Sequence, residues 1–444
     1  MNTPANTQGG NINAPATPVG GPSPLPPGPS PEAQVAYDAR WKRIMDCVAL
    51  KQPDRMPVTL YCFNWLAKYG GVSHRELMYD MEKAARIAEQ AILEFQPDGT
   101  CPFVTQVAWG PSAEAVGLKN YRWAGHGVGD DQSYQYIDKE YVTVKDYDDF
   151  LDDPTAFHMK TFLPRIATSF EGLANMPSLP TLSGFRALSV IAGFARPEVK
   201  ESLQKIVAAA EEVVRLGKRG EQFNHRIKAL GYPMIYGATT LCAYDLVADF
   251  WRGATGMMKD IFRHKDKMLE VLDRVTGFQE TRAVTDGKAS GNPIVFLPIH
   301  WAPDAFMSQE QFETLWWPSC RRLMMTLIDH DLIPMVLWEH DCTKRLEAIA
   351  DIPAGECIYF FERADNLIRA HEIMGNQVAL RGGLSASLMT TGTPDAIDAE
   401  VRKLVEKVWN RGGKLILDCG IGIPDEAPVD NVRAMFAAAR KYAG

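Results

Sequence analysis

Short, continuous runs of apolar, β-favouring residues alternate along the chain with longer stretches in which apolar residues recur every three or four positions. The runs are 57–62 (PVTLYC), 99–104 (GTCPFV), 232–237 (YPMIYG), 293–298 (PIVFLP), 333–338 (IPMVLW), 357–361 (CIYFF), 377–382 (QVALRG) and 414–419 (KLILDC). Runs that are apolar throughout, rather than alternating, predict strands buried on both faces, as in a parallel sheet covered by helices. Helical periodicity fills 81–95, 256–278, 308–330 and 393–409. The last of these opens with Thr393 as N-cap, Pro394 at the first helical position and acids in the first turns, a good helix start. Strand–helix alternation of this kind, eight times over, predicts an α/β fold: a closed (β/α)8 TIM barrel. A doubly wound open sheet is the competing arrangement.

The second and third runs are more than 120 residues apart. The intervening stretch, 105–230, is expected to be a large insertion over one barrel face, with a helix near 197–216. Residues 1–32, rich in Pro, Gly, Asn, Thr and Ser, cannot bury enough apolar surface to fold and are expected to be a disordered tail. Residues 33–444 then form the barrel. The N-terminus has neither a basic start nor an apolar core, so no secretory signal is expected.

Composition narrows the function classes. The net charge of −8 argues against a general nucleic-acid binder, which would need a basic face. No apolar run reaches the roughly 18 residues that would suggest a membrane helix. Eight cysteines spread through the chain suit a reduced cytoplasmic protein, in which clustered cysteines point to metal or catalysis rather than disulfides.

In a (β/α)8 barrel the chemistry sits just past the strands, on the C-terminal face. After the fourth run come His300 and Trp301, after the fifth Glu339-His340-Asp341-Cys342, and after the sixth Glu362. The seventh run carries Arg381, and the eighth ends on Cys419 followed by Gly420. Imidazole and thiolate are the ligands zinc prefers, and three protein ligands with one open position is the catalytic pattern. His340, Cys342 and Cys419 are therefore the expected zinc ligands, with Glu362 available for the fourth position. Against this, cysteines are commonly just buried apolar residues, and a His-x-Cys pair alone is a weak signal. His300 either polarises a substrate or, more commonly for such a residue, lines the pocket wall. Arg381 either holds an anion or closes an internal ion pair. Tyr61, Trp65, Trp109, Tyr236, Trp301 and Trp338 stack on a substrate or, more commonly, fill the barrel.

Several segments resemble the uroporphyrinogen decarboxylase superfamily. They are 54–77 (DRMPVTLYCFNWLAKYGGVSHREL), 236–273, 332–352 (LIPMVLWEHDCTKRLEAIADI), 378–394 (VALRGGLSASLMTTGTP) and 412–442. The likeness runs over roughly 40–444 and implies a (β/α)8 barrel. Decarboxylases of the superfamily carry an Arg-Gln-Ala-Gly-Arg segment after the first strand. Here the matching stretch is Leu60-Tyr61-Cys62-Phe63-Asn64-Trp65-Leu66, with no arginine. The corrinoid-dependent methyltransferases of the superfamily, among them methylcobamide:coenzyme M and O-demethylase enzymes, carry His-x-Cys and a distant Cys as zinc ligands, with an acid after the sixth strand. His340, Cys342, Cys419 and Glu362 match that set.

The resemblance thus implies a zinc-dependent methyltransferase. It would move a methyl group between a small O- or S-compound, a methoxy-aromatic or a thiol, and a corrinoid. No Asp-x-His-x-x-Gly segment is present, so the corrinoid is expected on a separate partner protein. Two alternatives remain: a decarboxylase-like lyase acting on a tetrapyrrole, and a non-catalytic zinc or corrinoid chaperone.

Overall fold

A computed structural model describes residues 28–444, and the expected tail falls largely outside them. Ser30 caps the first helix, Pro31–Val48, by accepting from the Ala33 N–H at 3.2 Å. Residues 31 and 32, read as tail, therefore belong to that helix. Eight parallel strands follow in chain order. They are β1 (Thr59–Leu60), β2 (Gly99–Thr100), β3 (Ala238–Thr239), β4 (Ile294–Ile299), β5 (Ile333–Trp338), β6 (Ile358–Phe361), β7 (Ala379–Leu384) and β8 (Leu415–Cys419). β3 to β8 pair consecutively, and β1 pairs with β2. A bridge between Thr100 and Met234 joins the two sheets on one side. Bridges from Val58 to Leu417 and from Cys62 to Ile423 join them on the other. The result is a closed (β/α)8 barrel.

β4 to β8 follow their apolar runs closely, whereas β1 to β3 are shorter than expected. Prolines flank or interrupt these three runs, but Pro298 and Pro334 sit within the full ladders of β4 and β5, so a missing donor alone does not set strand length. Pro57 precedes β1, Pro102 follows β2, and Pro233 lies in the third run. That third run still touches β2, since the Ile235 N–H donates to the Thr100 carbonyl at 2.7 Å. Its ladder with β4 begins only at Ala238.

The expected helix 81–95 forms as Met81–Phe95. The 256–278 pattern is two helices, Gly253–Arg263 and Lys265–Ser290, meeting at His264. The 308–330 pattern contains a π turn at Phe312–Trp316, just ahead of Pro318, whose missing N–H interrupts the ladder. Thr393 caps Pro394–Lys407 as expected.

The barrel interior holds Arg381, which pairs with Asp418 at 2.7 Å; both side chains are wholly buried. Thr59 also bonds Asp418, and the guanidinium lies over the rings of Phe360 (4.3 Å) and Tyr61 (5.0 Å). Arg381 therefore closes an internal ion pair. Gly382 beside it has φ 100°, and a Cβ there would lie 2.3 Å from the Phe361 carbonyl oxygen, so only glycine fits.

The β2–β3 connection is the large insertion. It contains a three-stranded sheet (Tyr121–Ala124, Gly127–Val128, Tyr134–Tyr136) and a helix of 33 residues, Pro197–Ala229, much longer than the expected 197–216. Among the described residues, no helix is long and apolar enough to cross a membrane.

Candidate functional site

The C-terminal ends of β4, β5, β6 and β8 deliver His300, Glu339 to Cys342, Glu362 and Cys419 to one rim. β5 and β6 are in register, with Trp338 opposite Phe361, so the residues that follow them are neighbours. The Glu362 Oε2 accepts from the His340 N–H at 2.9 Å and lies 3.5 Å from His340 Nδ1. β8 ends against β7, with Cys419 opposite Leu384. Gly420 then passes so close to β6 that a Cβ would sit 2.4 Å from the Glu362 Cα. Glu362 thus stands between the His340 loop and the Cys419 turn. His340 has φ 55°, the left-handed conformation that a non-glycine residue adopts only when its surroundings impose it.

The two thiols are buried and locally satisfied. Cys342 Sγ donates to the Glu339 carbonyl at 3.3 Å, and Cys419 Sγ to the Gly422 carbonyl at 3.1 Å. Burial, and then nearby carboxylates, pushes both thiols up, so they are protonated. The His340 side chain is 61% exposed. Among the described residues no three His, Cys, Asp or Glu side chains converge as a metal site. The expected zinc ligands therefore occupy one rim but are not gathered into a shell. Each thiol is turned to a carbonyl of its own turn, and the imidazole faces solvent. Their chemistry still suits zinc, because an imidazole and two thiols become good ligands once a cation displaces the thiol protons.

His300 lies in a carboxylate cluster. Its Nδ1 is 2.6 Å from Asp249 Oδ2 and its Nε2 3.7 Å from Glu339 Oε1. Asp249 Oδ1 also accepts from Trp301 Nε1 at 2.6 Å. Asp245, wholly buried, accepts from the His300 and Trp301 N–H groups and from Trp316 Nε1. Burial disfavours the His300 cation, but the Asp249 hydrogen bond and the fields of Glu339, Asp245 and Asp249 outweigh it and raise His300 to about 9. Burial lifts Asp245 to about 7, against the pull of His300. Burial also raises Glu339, opposed by His300 and His340.

Asp245, Asp249 and the role of Glu339 were not legible as site residues. The available signal was two acids four apart in the apolar stretch after the third run, CAYDLVADFW, where a solvated helix face would not place them. Among the aromatics, Trp65 is buried and donates to the Ala427 carbonyl, and Tyr61 and Tyr236 pack inside the barrel. These three are structural. Trp109 lines a cavity beside the mouth. A separate open cleft of about 410 Å³ over the rim is lined by His340, Asp341, Glu362, Arg363, Ser385 and Ser387, among others.

The family model described as Uroporphyrinogen decarboxylase (URO-D) matches residues 197–442, more than half of the chain. The chain belongs to the uroporphyrinogen decarboxylase family. Within it, a curated uroporphyrinogen decarboxylase from Syntrophotalea carbinolica (strain DSM 2380 / NBRC 103641 / GraBd1) is 24% identical over 221 residues. The match covers 50% of this chain and 61% of the relative's length, so the chain spans about three fifths of that protein. A solved methyltransferase from Methanosarcina mazei shares the fold, with a TM-score of 0.57 at 16% identity. That likeness covers 91% of this chain and 98% of the other.

Proposed function

We propose that this member of the uroporphyrinogen decarboxylase family is a zinc-dependent methyltransferase. It moves a methyl group between a small methylated O- or S-compound and a corrinoid carried by a separate protein. The observation that carries this reading is the placement of His340, Cys342 and Cys419 on the ends of β5 and β8 beside Glu362. They stand in a chain whose segment after β1, Leu60 to Leu66, has no arginine to hold a poly-carboxylate. His340, Cys342 and Cys419 would hold the zinc. When bound, zinc supplies a Lewis acid that stabilises negative charge on the oxygen or sulfur exchanging the methyl group.

The chain's own residues do the rest. Glu362 fixes the His340 loop through the His340 N–H. Asp249 holds His300 Nδ1, which leaves Nε2–H at the mouth as a proton donor. In demethylation the methyl carbon departs to the corrinoid partner, and the C–O electron pair stays on oxygen. His300 Nε2 gives that oxygen its proton and is reprotonated from water. Eight free cysteines suit a reducing, cytoplasmic setting for this chemistry.

Metal analysis and a methyl-transfer assay test the proposal. The purified protein should bind about one zinc per chain. Cys342→Ser and Cys419→Ser should each lose most of it. Cys357→Ser should not, because that thiol is buried at the base of β6 and donates to the Pro334 carbonyl. Zinc retained in both site variants would refute the ligand set. With a reduced corrinoid protein and a methylated substrate, transfer should require the metal, and uroporphyrinogen should be left unchanged. Decarboxylation without methyl transfer would refute the function. Zinc and corrinoid-protein binding without transfer would fit a chaperone instead.

A further inference from the structure

Between the barrel and the inserted sheet runs a groove of about 340 Å³. Phe63, just past β1, lines it with Thr105, Gln106 and Trp109 from the segment after β2 and with Tyr121 and Tyr134 from the inserted sheet. Trp109 meets Tyr134 edge-on at 5.8 Å, and Tyr121 and Tyr134 lie 6.1 Å apart, so the rings brace one another as fixed walls. Tyr134 is 49% exposed, and Trp109 and Tyr121 are half-buried. No charged residue lines the groove. Four of its polar groups are free donors: the Gln106 amide, Trp109 Nε1 and the Tyr121 and Tyr134 hydroxyls have no hydrogen-bond partner among the described residues.

Such walls suit a ligand with apolar rings to lie on the aromatic faces and carbonyl oxygens, free of competing N–H groups, to meet the donors. A proline-rich chain in the polyproline II conformation offers both, preformed. The sequence holds such a segment just outside the described residues. Residues 22–27 read Pro-Ser-Pro-Leu-Pro-Pro, and no charged side chain occurs before Glu32, so tail and groove are alike uncharged.

The helix Pro197–Ala229 measures the gap between them. Gly220 on it packs so tightly on Thr105 that a Cβ would overlap the Thr105 methyl, and a Cβ on Gly231, just past its end, would lie 2.8 Å from the Ala33 carbonyl oxygen. Those two glycines are eleven positions apart, roughly 16 Å at the helical rise. Residues 22–27 precede Ser30 by three to eight positions, which in polyproline II reaches roughly 10–25 Å. The segment therefore spans the gap to the groove of its own chain, and so short a link holds it there at an effective concentration of about a millimolar.

We infer that residues 22–27 dock in this groove of their own chain, with prolines on Trp109, Tyr121 and Tyr134 and carbonyl oxygens accepting from the free donors. The tail is then a strap that runs up from the first helix and pins the inserted sheet to the barrel. The inference stands apart from the methyltransferase reading.

Photo-cross-linking in the full-length protein tests it. With p-benzoylphenylalanine in place of Leu25, irradiation should join that residue to peptides between Phe63 and Tyr134, within one chain. In an equal mixture of isotopically light and heavy protein, the joined peptides should be all light or all heavy. Tyr134→Ala, at an exposed ring not needed for folding, should cut the yield about tenfold. A fluorescent peptide of residues 17–30 gives a second reading. It should bind a full-length variant carrying Pro24→Ser, Pro26→Ser and Pro27→Ser, and bind the parent at least tenfold more weakly, because the parent's own tail fills the groove. No cross-link, cross-links to other faces, or a yield indifferent to Tyr134→Ala would overturn the inference. So would equal peptide binding to parent and variant. Mixed light–heavy products would assign the groove to the tail of a second copy and overturn the strap within one chain.

Discussion

His300 shows how a residue's chemistry is set by what faces it. The sequence placed it at a strand end but could not show whether it was a working group or a pocket wall. That depended on Asp249, about fifty residues earlier, which a fold brings to 2.6 Å. With the folded-state value raised from 6.5 to about 9, the native protein holds this proton more tightly than the unfolded chain does. The resulting stabilisation is fully present below pH 6.5 and is lost as the pH rises through about 9. Thermal midpoints measured across that window should fall with pH in the parent and fall less in His300→Gln. If His300 donates the proton, transfer should also decline above about pH 9, and the variant should be slow with that limb absent. A slow variant that kept the same alkaline limb would remove His300 from the proton transfer. Arg381 had two open roles in the sequence for a similar reason: its partner, Asp418, lies on the next strand, a proximity that pattern alone does not reveal.

At the scale of elements, legibility followed continuity. IPMVLW was read as 333–338 and forms β5 over those same residues, because every position is buried. PVTLYC and YPMIYG were read as full strands, yet β1 covers only Thr59–Leu60 and β3 begins past its run, at Ala238. Turns after the strands carry tighter constraints than the strands themselves. A Cβ at Gly420 would lie 2.4 Å from both the Cα and the carbonyl oxygen of Glu362, which are backbone atoms that cannot step aside. Gly420→Ala should therefore cost about 1–3 kcal/mol and disturb the Glu362–His340 contact, measurable by denaturant titration and by zinc affinity. Gly217 offers the opposite case: it lies inside the helix Pro197–Ala229, and a Cβ there would meet nothing within 4 Å. Gly217→Ala should stabilise by roughly 0.5–1 kcal/mol. If the two glycines gave similar effects, the steric argument at Gly420 would fail.

At the scale of the whole molecule, what matters is how the insertion is tied to the barrel it roofs. The sequence marked 105–230 as an insertion but gave no sign of its attachment, since the joining residues are ordinary polar ones scattered over more than 100 positions. Arg252, at the end of the π-helical turn Ala248–Arg252 that follows β3 and a short helix, is the tie. Its Nε and Nη2 grip Asp260 at 2.6 and 3.0 Å, and its Nη1 donates to the Val142 carbonyl at 2.7 Å and to Glu140. Tyr147 of the insertion donates to the same Asp260 at 2.7 Å. Arg252 and Asp260 are 3% and 0% exposed, so removing the guanidinium strands a buried carboxylate with only a phenol to bond it. Arg252→Ala should therefore cost about 3–5 kcal/mol, well beyond a surface ion pair. The loss should be concentrated where the insertion meets the barrel, so limited proteolysis should open between Tyr136 and Arg165 before the barrel unfolds. The inserted sheet adjoins this joint, because the Tyr136 hydroxyl donates to the Asp249 carbonyl. Arg252→Lys restores the charge but not the two-pronged grip and should recover only part of the stability. If Arg252→Ala lowered stability without loosening the insertion, the insertion would be held by its apolar contacts alone.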